Sequence, residues 1–551
     1  MRALFHADPN DEPRTLVGAF WVLLLCAFTA WAYVRTAAVT EDAFITFRVI
    51  DNALNGYGLV WNVGERVQVF THPLWALLLL AFSALTGAIF HTALALSLAL
   101  TLVCVALIAR HSVGRWSALW AVIALFFSEA FVEYSSASLE NALAHALAAA
   151  LVVTVAGLSP ESALSPMSAR RAWVPALCAG LLVVTRHDFA VLVGPATLAI
   201  LAQSHGRDRW RALLAAASPL VLWSIFSIIY YGSLWPNSAY AKLNNGMSMA
   251  ASFSASEAYF RDLVKYDAVS ALVIAVAAIR GSLQGSWRMR SLASGLVLYM
   301  LYLGSAGGDY MGGRLFSTPF VVAVAMLALN VRLRWWWNAP AWIVVTLVLG
   351  WHQGWIVKDV HPHAEARRMS QHAWMYPFTG WLAETRRVDF SNMPWGAQGL
   401  QARGEKHEMV AKCAVGLYGF NAGPNVRIID PLAITDGFLS RLPSKKPSYP
   451  GHFERAFPDG YVDSLTSGAN QLRDPSLRLL YEKIRLVETG ALFDPLRLQA
   501  IWALNTGEDK RLAALATYDP NRTFAPGLTT TSGDRLACMG QLDPMLTVRL
   551  K

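Results

Sequence analysis

The sequence predicts a polytopic α-helical membrane protein that carries a C-terminal α/β domain outside the bilayer. Three observations predict it. Of 551 residues, 55% are hydrophobic and only 15% charged, against about a quarter charged in soluble domains. Apolar runs follow one another through the first 356 residues. Near residue 357 the composition changes to a mixture of charge, Gly, Pro and short apolar runs.

The first run, "LVGAFWVLLLCAFTAWAYV" (16–34), is long enough to cross a hydrocarbon core at about 20 residues per span. It exceeds the short apolar region of a cleaved signal peptide and flows straight into an acidic segment. Arg2 and Arg14 precede it, with Asp8, Asp11 and Glu12 between them. The positive-inside rule counts Lys and Arg, so the N-terminus is expected in the cytoplasm and the 40–72 loop outside. Further runs lie at roughly 73–90, 92–109, 116–131, 139–157, 173–185, 189–203, 211–231, 266–279, 290–306, 315–331 and 338–356. Some are short or interrupted by Ser and Gly, so ten to twelve spans are expected. "ARHSVGR" (109–115) and "SARR" (168–171) read as cytoplasmic by charge, whereas strict alternation puts both outside. One segment between 73 and 157 is therefore expected to be re-entrant or incompletely spanning.

Charge excludes one class of partner. The net +9 follows from basic cytoplasmic loops, with attraction to anionic lipid phosphate as the other source. No Lys/Arg stripe interleaves with aromatics, so nucleic acid is not an expected partner.

Residues 1–356 are read as the transmembrane module and 357–551 as a soluble extracytoplasmic α/β domain, a length that suits one globular unit. Within it "NVRIID" (425–430) alternates and is β-branched, predicting a strand. "DPSLRLLYEKIRL" (474–486) predicts a helix with Asp474 as its N-cap. Cys26, Cys104 and Cys178 sit in apolar runs as packing residues. Cys413 and Cys538 either pair in an oxidising compartment or are two unrelated buried thiols. There is no CxxC and no zinc-like spacing, and no internal repeat.

The chemistry-bearing stretch is "TEDAFITFRVIDNALNGYGLVWNVGERVQVFTHPLW" (40–75), which places Glu41 and Asp42 just beyond the first span. They are either interfacial charges that end a helix or reactive groups. From Asp42 onward, Phe44, Phe47 and Ile50 share one side at helical spacing, and Asn55-Gly56 terminates the segment. The expectation is a helix in the interface plane, apolar face down. It would hold the carboxylates at headgroup depth, where the reactive end of a lipid-linked molecule sits.

An acid at the end of the first span, an interfacial helix and a Pro-led second span resemble the polyprenyl-phosphate-dependent membrane glycosyltransferases of the GT-C superfamily. The wording of the 41–75 loop is similar to that of the AftB-like terminal arabinofuranosyltransferases of actinobacterial cell walls. So are "SSASLENALAH" (135–145), "TRHDFAVL" (185–192), "YYGSLWPNSAYAKLN" (230–244), "GGDYMGGRLF" (307–316), "GLYGFNAGPNVRIIDPLAITDGFLSRLP" (416–443) and "GHFERAFPDGY" (451–461). Two positions depart from the pattern. Glu41-Asp42 stands where such enzymes often have Asp-Asp, and His187 where relatives often have Pro.

The resemblance implies a GT-C-like fold and transfer of arabinofuranose from a polyprenyl phosphate to an arabinan-type glycan at the outer face of the plasma membrane. The product would be a terminal β(1→2) linkage. The alternative is the same fold moving another sugar, such as mannose, to protein, lipid or polysaccharide. A transporter is the third class. The interfacial acids, the large soluble domain and the absence of a visible inverted repeat speak against it.

Asp42 is implied as the catalytic carboxylate, with Glu41 as a neighbour that raises its pKa or holds the acceptor. A carboxylate near the anomeric carbon takes the acceptor proton or stabilises an oxocarbenium-like transition state. Donor and product are both β in the family, which implies net retention, so Asp42 is alternatively a nucleophile. Lys242, Arg314 and Arg186 are candidates for the lipid phosphate. Asp309 pairs with Arg314 or binds substrate, and Asp188 pairs with Arg186 or lines the path. His72 donates to substrate or caps the next span. Glu140 orients a sugar hydroxyl, unless that stretch serves only Ser138 as an N-cap. Asn237 and Tyr240 are implied substrate-binding residues of the 230–244 phrase. Trp61 and Tyr57 stack on sugars or belong to an interfacial aromatic belt. No nucleotide leaves, so no metal or other cofactor is demanded, although a divalent cation is compatible. The partners are the lipid-linked sugar, the glycan acceptor and the bilayer, with the chain a monomer.

Overall fold

The computed structural model describes residues 16–158, 172–243, 248–284, 286–336, 338–351, 371–404, 409–445, 453–521 and 548–549. The chain is mostly helical. Among the described residues three helices are long and apolar enough to cross a membrane, Gly18–Thr36, Ile89–His111 and Gly206–Tyr230. A fourth span is possible if Arg115–Phe126 and Glu129–Ser136, bent by 74°, act as one. That break falls in the 73–157 interval where charge and alternation conflict. The "SARR" segment lies outside the described residues.

The expectation of ten to twelve spans meets shorter helices. Pro73–Thr86, Asn141–Ala156, Trp173–Thr185, Phe189–Gln203, Ala268–Leu283, Ser317–Asn330 and Ala339–Gly350 are apolar but of 10–17 residues. A straight crossing needs about 20. The break at Arg186-His187-Asp188 falls where the apolar runs 173–185 and 189–203 are separated in the sequence, and it parts two short helices.

The apolar helices pack closely on one another. A Cβ on Gly180 would meet the Ala216 carbonyl, and one on Gly295 the Leu192 carbonyl. These small residues let helix backbones approach, the usual device of helix packing in lipid. One hydrophobic cluster holds this bundle together from Leu25 to Ala339.

A second cluster crosses the chain. It joins Tyr33, Phe44, Phe47, Trp61 and Trp75 to Phe390, Trp395, Leu417 and Ile428. The Glu41–Leu54 helix forms as its pattern predicts, with both acids in its first turn, where the helix dipole favours them. Its apolar face, however, is covered by protein. The Phe44 ring lies 5.3 Å from Phe390 and 5.7 Å from Phe420, and Phe44 and Phe47 have no exposed surface. The periodicity gave the face but not what covers it.

In the C-terminal region β1 (Met409–Ala411) pairs parallel with β2 (Arg427–Ile429) and antiparallel with β3 (Val548–Arg549), giving the order β2-β1-β3. The expected strand at 425–430 is β2. The expected helix is Pro475–Thr489, capped by Asp474, whose Oδ1 accepts from Leu477 N at 2.9 Å. A third cluster packs Ile429, Phe438, Leu480, Tyr481 and Ile501 around it. Cys413 is disulfide-bonded; Cys538 lies outside the described residues.

Candidate active site

Asp42 sits in the first turn of its helix, and its side chain is 28% exposed. The Tyr310 hydroxyl donates to its Oδ1 at 3.0 Å and Oδ2 at 3.1 Å, and Arg314 Nη1 stands 3.5 Å from Oδ2. Burial, and then the Asp42 charge, push the Tyr310 phenol well above its usual pKa, so it remains a donor. Gly313, at φ +80°, turns the backbone just before Arg314, and a Cβ there would press on Ala130. This is a position where glycine's freedom is used.

Behind Asp42 lies Glu140, which has no exposed surface. Its Oε1 accepts from Arg186 Nη1 at 2.8 Å and Arg314 Nη2 at 3.3 Å, and His72 Nδ1 stands 3.0 Å from Oε2. His72 Nε2 faces Thr46 Oγ1 at 2.9 Å. Arg186 also grips Asp188 with two bonds, of 2.9 and 3.0 Å, and Tyr299 donates to Asp188 at 2.7 Å. Burial works against the Arg186 charge, but Asp188 and Glu140 outweigh it and hold its pKa well above normal. A buried ionic network of this kind fixes geometry.

The structure thus brings Asp42, His72, Glu140, Arg186, Asp188 and Arg314 into one constellation, from segments far apart in the chain. It also redraws several expected roles. Glu140 is enclosed by its three partners and cannot reach a sugar hydroxyl directly; it positions them. His72 makes no side-chain cap to the helix it precedes. Arg186 commits Nε, Nη1 and Nη2 to acids, which leaves it little to offer a phosphate. Arg314 is less committed, with Nε buried and unpartnered among the described residues.

Glu41 departs most from expectation. Successive helical residues point about 100° apart, and Glu41 turns away from Asp42 into the C-terminal region. Its Oε2 accepts from Trp395 Nε1 at 3.1 Å and its Oε1 from Leu417 N at 2.9 Å. Burial raises its pKa to about 7, against those two hydrogen bonds. Both carboxylate oxygens are thus engaged by the C-terminal region. A side chain at Gly416 would collide with Glu41, so the approach needs that glycine.

Trp61 is fully buried and its ring lies under the Arg48 guanidinium at 4.6 Å, so it stacks on no sugar and joins no interfacial belt. Tyr57 is 45% exposed. Asn237 is fully engaged. Its Nδ2 bonds the carbonyls of Ala433 and Ile434 at 2.9 Å and Asp436 at 3.1 Å, and its Oδ1 accepts from Ser440. Tyr240 bonds Ser233 and carries the Arg441 guanidinium on its ring. Neither bonds Asp42, Glu140, Arg186 or Arg314 among the described residues. Lys242 is half-buried on the same Asn237–Leu243 helix. Asp309 accepts from the next backbone N–H, Tyr310 N, at 2.7 Å, and no ion pair to Arg314 is seen among the described residues.

Two contributors escaped sequence reasoning. Tyr310 lies inside the "GGDYMGGRLF" phrase, yet its acid and its arginine drew the attention. Arg48 gave no signal, being one polar residue on an amphipathic helix. It is buried and donates to the carbonyls of Trp61 (2.9 Å), Gly419 (2.7 Å) and Val426 (2.8 Å). Among the described residues no group of three or more His, Cys, Asp or Glu is arranged to hold a metal.

No protein-family model matches the chain. It is 23% identical over 580 residues to the terminal β-(1→2)-arabinofuranosyltransferase of Mycobacterium tuberculosis, covering 84% of this chain and 91% of that protein. It is 25% identical over 381 residues to the protein of the same name from Corynebacterium glutamicum, covering 61% of this chain and 55% of that one. Among solved structures, the apo oligosaccharyltransferase of Archaeoglobus fulgidus matches with a TM-score of 0.46 and 9% identity, over 76% of this chain and 65% of that one. The same organism's AglB, in complex with an inhibitory peptide and a dolichol-phosphate, matches with a TM-score of 0.42 and 9% identity, over 71% and 59%. The chain spans about three fifths of these structures' length. The resemblance read from the sequence phrases is matched by the two curated relatives. That kinship makes the chain a membrane glycosyltransferase.

Proposed function

We propose that the chain moves an arabinofuranosyl unit from a polyprenyl phosphate to a hydroxyl of an arabinan-type glycan, forming a terminal β-(1→2) linkage at the outer face of the plasma membrane. The bond from the anomeric carbon to the phosphate oxygen breaks, a bond to the acceptor oxygen forms, and the acceptor proton leaves. The observation that carries this reading is Asp42, a partly exposed carboxylate held by Tyr310 with a guanidinium behind it. Such a group meets the positive charge that develops at an anomeric carbon.

The charge balance refines the roles. Asp42, Glu140 and Asp188 face two guanidiniums, Arg186 and Arg314. These cations are already outnumbered, so they do not by themselves neutralise a lipid phosphate. By the sequence resemblance we keep Lys242 as the phosphate cation, and we assign Arg314 to steer Asp42. In this reading residues 1–356 form the membrane module of ten to twelve apolar segments, and the chain beyond 357 forms an outer domain that helps hold the acceptor. The enzyme acts as a monomer without a bound cofactor.

The test is transfer from synthetic prenyl-phosphoryl-arabinofuranose to a short arabinan, with wild type beside Asp42→Asn and prenyl-phosphoryl-mannose as control donor. Arabinose transfer by wild type, lost in the variant, supports sugar and site together. Transfer from the mannosyl donor alone favours the second reading, another sugar on the same scaffold. Full activity in Asp42→Asn removes the assignment of Asp42.

A further inference from the structure

A pocket apart from the Asp42 constellation opens between the chain entering the Asn237–Leu243 helix and the helices Pro475–Thr489 and Pro495–Asn505. Its space is about 490 Å³ with the part open to solvent included. Trp235, Tyr240, Arg66, Arg441 and Glu488 line it. None of them takes part in the ionic network around Glu140.

Three features mark it as a site rather than a fold in the surface. Glu488 is 8% exposed, and no hydrogen bond to its carboxylate is seen among the described residues. Arg66 Nε is likewise buried with no partner among them. Buried polar groups are nearly always satisfied, so the orphaned Arg66 Nε beside this cavity asks for a ligand or water. Trp235 leaves 52% of its surface exposed at the rim, an apolar face beside polar groups.

The chemistry selects a neutral, hydroxyl-rich ligand. Burial, then the Glu65 and Asp436 carboxylates, push the Glu488 acid well above its normal pKa, against Arg485 and Arg427. A protonated carboxyl both donates and accepts, as a vicinal diol does. Beside it Arg66 and Arg441 line the wall, donors that suit hydroxyl oxygens. The pocket also adjoins the reacting centre. The Trp235 ring lies 5.7 Å from the ring of His187, the residue between Arg186 and Asp188.

We propose that this pocket is a subsite for a sugar of the glycan acceptor, stacked on Trp235 and hydrogen-bonded by Glu488 and Arg66. The proposal rests on the glycosyl-transfer reading above. It adds a place where the acceptor is held one or more sugars away from the hydroxyl that reacts.

The experiment uses the full chain in detergent, wild type beside Trp235→Ala and Glu488→Gln, the second nearly isosteric. A short arabinofuranosyl oligosaccharide is titrated calorimetrically without donor, and acceptor and donor KM are then measured separately. The expected result is acceptor binding weakened about tenfold, and acceptor KM raised to match, as for loss of one buried hydrogen bond or stacking contact. Donor KM and kcat at saturating acceptor stay unchanged. An unchanged acceptor KM, or a change confined to donor KM, overturns the proposal. If wild type transfers no arabinose but binds the oligosaccharide through Trp235 and Glu488, the subsite stands and the transfer reading fails. If wild type binds no oligosaccharide, the subsite fails whatever the enzyme transfers.

Discussion

The Tyr310 hydroxyl donates to both oxygens of Asp42 across 268 residues of sequence. A hydrogen bond to a charged group is worth about 1.5–3 kcal/mol, and here it also fixes the carboxylate's rotamer. Tyr310→Phe keeps the ring and removes the donor. We expect kcat to fall about 10–100-fold with little change in melting temperature. Steady-state kinetics beside a thermal shift assay separate this from unfolding.

Glu140→Gln leaves Arg186, Arg314 and His72 facing a neutral amide inside the protein. Breaking a buried ion pair from one side costs about 3–5 kcal/mol. The expected outcome is a large loss of thermal stability and of folded yield, larger than for Asp42→Asn, whose carboxylate is partly exposed. Melting curves of the two purified variants check the order.

Arg48→Met removes the donor shared by three backbone carbonyls, one in the first loop and two in the C-terminal region. With buried acceptors left unpaired, roughly 2–4 kcal/mol of stability is expected to go. The loss should be local. Limited proteolysis should cut between residues 409 and 430 sooner than in wild type, while the membrane helices remain protected.

Glu41 gives a pH signature. Its pKa rises from the ordinary 4.5 to about 7 in the fold, so the native state binds the proton more tightly than the unfolded chain. The stability this group contributes is therefore full below about pH 4.5 and is lost as pH rises through 7. Asp430 and Asp436, raised to about 7 and about 6, act in the same window. The measurement is the difference in melting temperature between wild type and Glu41→Gln from pH 4.5 to 8. It should shift in the variant's favour as pH rises, and a flat difference would sink the idea.

Much of this was legible in the chain itself. The acid pair, the amphipathic helix, the strand at 425–430 and the Asp474 cap are local patterns, set by spacing and capping within a dozen residues. What could not be read is relational. Glu140 and Arg314 were both picked out, yet nothing local pairs groups 174 residues apart. Glu41 and Asp42 look interchangeable in sequence, but one helical step sends them to different surroundings. Arg48 shows the limit of periodicity: a polar face reads the same whether water or three carbonyls lie against it.

The Arg48 contacts also set a timetable. The residue must wait for Gly419, made 371 positions later. At about 5–20 residues per second, synthesis puts that on the order of 20–70 s behind. During that interval the helix carrying Asp42 waits with Phe44 and Phe47 uncovered on the side that Phe420 later meets. The last quarter of the chain thus works as a late-arriving chaperone for the first loop, and a nascent chain stalled before it would leave Arg48 and the Phe44–Phe47 face without their partners.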